Sequence, residues 1–91
     1  MNVDVDGQRI LFTGFRDSNL NEQVQNDGGI VMPSWNKNVT LLVVADRNSN
    51  STKVRKARTA GIPIMTVGDF ADNTGYDLEE RNNKKGLQFS Y

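Results

Sequence analysis

Apolar residues fall along this chain in short blocks, each closed by a polar or glycine-rich stretch. RILF at 9–12 is a short apolar run that predicts a strand ending at Thr13-Gly14. DSNLNEQVQNDGG then places Leu20 and Val24 on one helical face. Ser18 or Asn19 is the expected cap, Glu22 stands three residues after Asn19, and Gly28 or Gly29 is the stop. This helix is short and Asn-rich, so packing rather than intrinsic propensity must hold it. GIVM at 29–32 predicts a second strand, ended by Pro33. TLLVVA at 40–45 is a continuous β-branched and leucine run, the pattern of a strand buried on both faces.

STKVRKARTAGIPI, residues 51–64, predicts a second helix followed by a strand. Ser51 or Thr52 caps it; Val54, Ala57 and Gly61 lie at i, i+3 and i+7 on one narrow face; Gly61 also fits the terminating position. IPIM at 62–65 is the fourth strand, and Pro63 suits an edge. TVGDF opens a last helix, with Thr66 as cap, Val67, Phe70 and Ala71 as its apolar face, and Gly75 as its end. Residues 1–8 read as a lead-in and 76–91 as a polar tail, in which LQFSY could add an extended edge segment. Strands alternating with helices argue for a mostly parallel sheet covered on both faces. Only the eight residues Pro33 to Thr40 join the second and third strands. That is short for a parallel crossover and also suits a long hairpin.

Composition narrows what such a domain can do. At 91 residues the chain is one domain with a modest core. Eleven basic and eleven acidic residues cancel, so anion recognition must be local. The absence of cysteine removes disulfide and thiolate chemistry. The absence of histidine removes the commonest general base and metal ligand. No carboxylate pair suits acid–base work, and no spacing suggests zinc or calcium. The expectation is therefore a non-catalytic module with no metal and no cofactor. No apolar run is long enough to span a bilayer and no signal-peptide pattern opens the chain, which implies an intracellular setting without a membrane partner.

Local charge is less even. Lys53, Arg55, Lys56 and Arg58 put four cations within six residues. A cation in the first turn of a helix opposes the helix dipole, at roughly 0.3–1 kcal/mol. Lys53 is therefore either a solvated lysine or one aimed at an anion, for which helix N-termini are natural sites. Arg55, Lys56 and Arg58 read first as a solvated face, with Arg55 and Lys56 as possible accessory contacts. Thr13-Gly14 closes a strand where open α/β sheets bind ligands. It offers a hydroxyl and an unobstructed N–H, or simply a tight turn. Trp35 in the following loop is either an anchor or a lid on the core. GQRILFTGF lacks the Gly-Lys-Ser/Thr ending of a P-loop.

ILFTGF, GGIV, VTLLVVAD, STKVRKARTAGIPI and TVGDF, in this order, resemble a BRCT domain from about Gln8 to Asn73. The more specific signals are Thr-Gly closing the first strand, the Gly28-Gly29 pair, and Ser51-x-Lys53-x-x-x-Ala57-x-x-x-Gly61. The resemblance implies a four-stranded parallel sheet in order 2-1-3-4 flanked by three helices. It puts a loop between the second and third strands, the domain at 8–75 and a tail at 76–91. In phosphate-binding members a Ser/Thr and a Gly at the end of the first strand and a Lys on the second long helix hold the anion. Those roles fall on Thr13, Gly14 and Lys53, with Ser51 as a further hydroxyl. Phe70 stands where many members have Trp, as in BRCT domains of NAD-dependent DNA ligases and the clamp-loader large subunit. Those domains carry an Arg for DNA ends on a longer loop; Arg16 is the nearby substitute here. The implied function is a BRCT module of DNA repair or replication that recognises a phosphopeptide or a 5′-phosphorylated DNA end. The alternative is a structural protein–protein or homodimerisation module without a phosphate ligand, as part of an NAD-dependent DNA ligase. Partners would be phosphorylated proteins, 5′-phosphorylated DNA, or repair and replication proteins, in the nucleus or in a bacterial or viral-host cytoplasm.

Overall fold

Leu41–Val44 (β3) is buried at every residue, as its unbroken apolar run requires. It lies inside a four-stranded parallel sheet, between Arg9–Thr13 (β1) and Ile64–Thr66 (β4). Ile30–Val31 (β2) pairs with the other side of β1, giving the order β2-β1-β3-β4. The computed structural model describes residues 3–46 and 52–78.

Three helices complete the fold: Ser18–Asn26 (α1), Thr52–Ala60 (α2) and Val67–Thr74 (α3). The register aligns Leu11, Leu42 and Ile64, then Phe12, Val43 and Met65, then Thr13, Val44 and Thr66. Paired residues in a parallel ladder point to one face and successive rows alternate. One face therefore collects Ile10, Leu41 and Val43 with Leu20 and Val24 of α1 and Phe70 and Ala71 of α3. The other collects Leu11, Leu42 and Val44 with Val54 and Ala57 of α2. Phe70 is fully buried and meets Phe12 and Tyr76 edge-on, at ring-centroid distances of 5.7 and 6.0 Å.

The β2–β3 connection is a loop, not a hairpin, because β1 lies between its two strands. Nine residues suffice, Met32 to Thr40. Extended chain covers about 3.3 Å per residue, while two strand spacings are only about 10 Å. The loop lies on the α2 side, where Val39 is buried and Met32 and Trp35 are packed against the core.

Several local expectations shift. The cap of α1 is Asp17, one residue before the expected Ser18 or Asn19, and its carboxylate accepts the Leu20 N–H at 2.9 Å. With Asp17 as the cap the third helical residue is Leu20, and Glu22 lies two residues too far along for a capping box. The end of α1 falls at Asp27-Gly28 as expected: Gly28 adopts φ +88°, and Gly29 N–H donates to Val24 C=O at 2.9 Å. Gly61 terminates α2 with φ +74° but is exposed, so it adds nothing to the buried face. β4 starts two residues later than IPIM suggests, because Pro63 has no N–H for the ladder. Thr66 caps α3 by accepting the Asp69 N–H at 3.1 Å, and Gly75 closes it with φ +80°. The lead-in is not merely polar: Val5 is buried in the α1/α3 core, and Val3 N–H donates to Asn73 C=O at 3.2 Å. Tyr76 and Leu78 also pack into that core. The possible edge segment LQFSY lies outside the described residues.

Candidate functional site

The chain reverses its direction of travel across the sheet at β1. From β1 it moves through α1 to β2 on one side; from β3 it moves through α2 to β4 on the other. Such a reversal leaves a crevice beyond the carboxyl ends of the strands, because helices depart to opposite faces there. An open cleft of about 660 Å³ occupies this position.

Thr13 is the last residue of β1, and by strand alternation its side chain lies on the α2 side of the sheet. Gly14 follows with φ +86°, a conformation that turns the chain sharply out of the strand. A Cβ there would also meet the Ala45 Cβ at 3.3 Å. Lys53 comes from the first turn of α2, half-buried at the rim. Thr13, Gly14, Arg16 and Lys53 all line this one cleft. The chain thus brings together a hydroxyl, a backbone turn and two cations separated by forty positions of sequence.

Not every expected residue joins them. Arg55 and Lys56, expected as accessory contacts, line a different cleft, beside Trp35. Ser51 lies outside the described residues. Arg58 lies on the opposite flank of α2, in a third cleft with Asp69.

Two contributors were missed from sequence. Ser18 and Asn21, in the first turn of α1, line the cleft, so a second helix N-terminus opens on it. The parallel order itself carried this signal, since every helix that follows a parallel strand starts at the strand's carboxyl end. Asp17 also lines the cleft. It is buried, and its carboxylate is turned to the α1 backbone as a cap. Its charge opposes an anion, while Arg16 and Lys53 carry the opposite sign. Among the described residues no cluster of three or more acidic side chains could hold a metal ion, and no helix is long and apolar enough to cross a membrane.

The cleft lining holds a hydroxyl, a glycine turn and two cations, Lys53 on α2 and Arg16 exposed on the loop before α1, a set that suits a small tetrahedral anion.

Comparison with known proteins agrees with the architecture. The chain is 41% identical over 64 residues to a DNA ligase of Acanthamoeba polyphaga mimivirus. It is 34% identical over 62 residues to the putative DNA ligase 205R of Invertebrate iridescent virus 6. These matches cover 70% and 68% of this chain but 10% of each ligase, so the chain spans about a tenth of those relatives. The crystal structure of S. pombe Rad4 BRCT3,4 superposes with a TM-score of 0.60 over 70% of this chain and 38% of that one. At 21% identity that likeness is one of fold. The BRCA1 C Terminus (BRCT) domain family matches residues 6–85, nearly the whole chain. The sheet order, the loop crossover and this match together make the chain a member of the BRCT domain family.

Proposed function

We propose that this BRCT domain is a non-catalytic module of DNA repair or replication that recognises a phosphate group in the cleft beyond β1. The observation that carries the reading is the convergence of Thr13, Gly14, Arg16 and Lys53 on that one cleft. A terminal phosphate carries close to two negative charges and three acceptor oxygens. Thr13 Oγ1 and the Gly14 N–H donate to the oxygens, Lys53 Nζ supplies the charge, and Arg16 reaches the rim. The first turns of α1 and α2 add positive dipole ends. The phosphate belongs to a 5′-phosphorylated DNA end or to a phosphopeptide, in an intracellular setting.

Titrating phosphorylated and dephosphorylated forms of the same oligonucleotide and peptide tests this. Wild type prefers the phosphorylated forms, and Lys53→Ala weakens that binding by about 10–100-fold, the value of a charge-assisted hydrogen bond. Thr13→Val weakens it less, because one neutral donor is lost. Equal affinity for phosphorylated and dephosphorylated ligands rules the reading out.

A second reading is a BRCT module that docks a DNA ligase onto protein partners, or onto a second copy, without phosphate. The similarity to one tenth of two viral proteins named as ligases supports it. In that case the cleft variants leave partner binding unchanged.

A further inference from the structure

We infer that α2 and Trp35 form a track for single-stranded nucleic acid that continues from the phosphate cleft. This deepens the phosphate reading and rests on it. At 100° per residue, Val54 and Ala57 point into the core and Arg58 leans to the flank facing β4. Lys53, Lys56 and Ala60 then lie along the opposite flank, towards the β2–β3 loop. Lys53 lines the first cleft, and Lys56 and Ala60 line the second. The two lysines are one turn apart, about 4.5 Å along the axis, close enough to serve neighbouring phosphates of one strand.

The second cleft has a volume of about 420 Å³ and is lined by Trp35, Thr52, Arg55, Lys56, Thr59 and Ala60. Its lining is aromatic, cationic and hydroxylic, with no acidic side chain. Trp35 is partly buried: it packs on the core formed by Leu11, Val39 and Leu42, and the rest of the side chain lines the cleft. A half-buried indole in an open cleft whose lining also includes Arg55 and Lys56 suits a stacking platform with its own counter-charges. A peptide anchor would need a closed, desolvated hole, whereas stacking tolerates an open surface. The observations therefore favour a base of a nucleic acid strand over an acidic peptide.

Trp35 is the only tryptophan of the chain, so its emission reports this position alone. The probes are a short oligothymidylate with a 5′-phosphate, the same strand with a 5′-hydroxyl, an abasic strand of equal length, and polyglutamate. The oligothymidylate should quench Trp35, and the abasic strand should bind at least about fivefold more weakly without quenching, since each stacked base is worth about 1–3 kcal/mol. Replacing both cations, R55Q with K56Q, should reduce the slope of log affinity against log salt by about 1.4. Trp35→Phe should retain most of the affinity, and circular dichroism should show it folded. The track is overturned if no strand binds, if bound strand leaves Trp35 emission unchanged, if the abasic strand binds equally well, or if polyglutamate quenches at equal affinity. Quenching that is identical with 5′-phosphate and 5′-hydroxyl strands would instead overturn the phosphate cleft and leave the track standing.

Discussion

Gly28 and Gly29 are neighbours with different reasons to be glycine. Gly28 holds φ +88° after α1. Gly29 is buried, and a Cβ there would meet Val24 Cγ1 at 2.6 Å, Val5 C=O at 3.0 Å and Val24 C=O at 3.1 Å. Two of those neighbours are backbone atoms and cannot swing aside. Gly29→Ala should therefore lower stability by about 1–3 kcal/mol, the usual cost of overpacking. Urea unfolding should show a lower midpoint at an unchanged slope. The dipeptide is visible in sequence, but Gly29's crowding is not, because Val5 arrives from a segment that reads as a polar lead-in. Tyr76 is a second residue-scale case. Its hydroxyl donates to Asp27 Oδ2 at 2.5 Å. Burial first, then this bond and the charges of Asp27 and Asp4, push the phenol pKa well above its usual value near 10. A group whose pKa is raised by folding stabilises the fold below its unfolded pKa and loses that contribution as pH rises above it. Stability should therefore begin to fall above about pH 10, and Tyr76→Phe should flatten the fall while costing about 0.5–1.5 kcal/mol at neutral pH. Denaturant midpoints of both proteins across alkaline pH test the pair of effects.

Elements were legible where burial leaves a periodic mark. β3 is apolar throughout because both its faces are covered, and α2 and α3 end at Gly61 and Gly75, whose φ values of +74° and +80° explain their identity. β2 is only two residues long, so its boundaries depend on pairing with β1 rather than on its own pattern. The cleft was legible at Thr13, Gly14 and Lys53 because strand ends and helix starts leave local signals. The separation of Lys53 from Arg55 and Lys56 was legible too, as a first-turn cation set apart from a solvated face; that Arg55 and Lys56 share a cleft with Trp35 was not, since it depends on which flank of α2 faces the β2–β3 loop. Asp17 was passed over for the same kind of reason: Ser18 and Asn19 are equally good caps in sequence, and only the backbone path out of Gly14 selects between them. That choice joins α1 to the site, because the cap also lines the cleft. Asp17→Ala should destabilise the fold by about 1–2 kcal/mol through the lost cap. Asp17→Asn should keep the acceptor at Leu20 N–H and remove a negative charge from the cleft. Phosphate-dependent binding by Asp17→Asn should then strengthen about two- to fivefold, an effect that shrinks with added salt. Isothermal titration at two ionic strengths measures it; an unchanged affinity would mean the anion sits far from α1.

At the scale of the whole molecule the two faces of the sheet are closed by different means. The α2 face is covered by one helix and the β2–β3 loop. The other face carries α1 and α3, and the groove they leave is filled from both ends of the described chain: Val5 from one and Leu78 from the other, 3% and 8% exposed. The second segment is also tied down by polar contacts. Asn19 Nδ2 and Gln23 Nε2 donate to Asp77 C=O at 3.1 and 2.8 Å, and the Asp77 N–H donates to Gln23 Oε1 at 3.1 Å. Val3-Asp4-Val5-Asp6 alternates over too few residues to read as an element and Leu78 stands alone among polar residues, which is why the sequence reading places the domain at 8–75. We place the folding unit instead at 3–78 or wider. A domain this small has only a few kcal/mol in reserve. Losing one buried Leu or its equivalent costs about 2–5 kcal/mol. A fragment of residues 8–75 should therefore be largely unfolded at 37 °C, whereas 3–78 should unfold cooperatively with a midpoint near that of the full chain. Thermal melts followed by circular dichroism separate the two. Equal melting of both fragments would mean that Val5 and Leu78 are passengers on a core that closes without them.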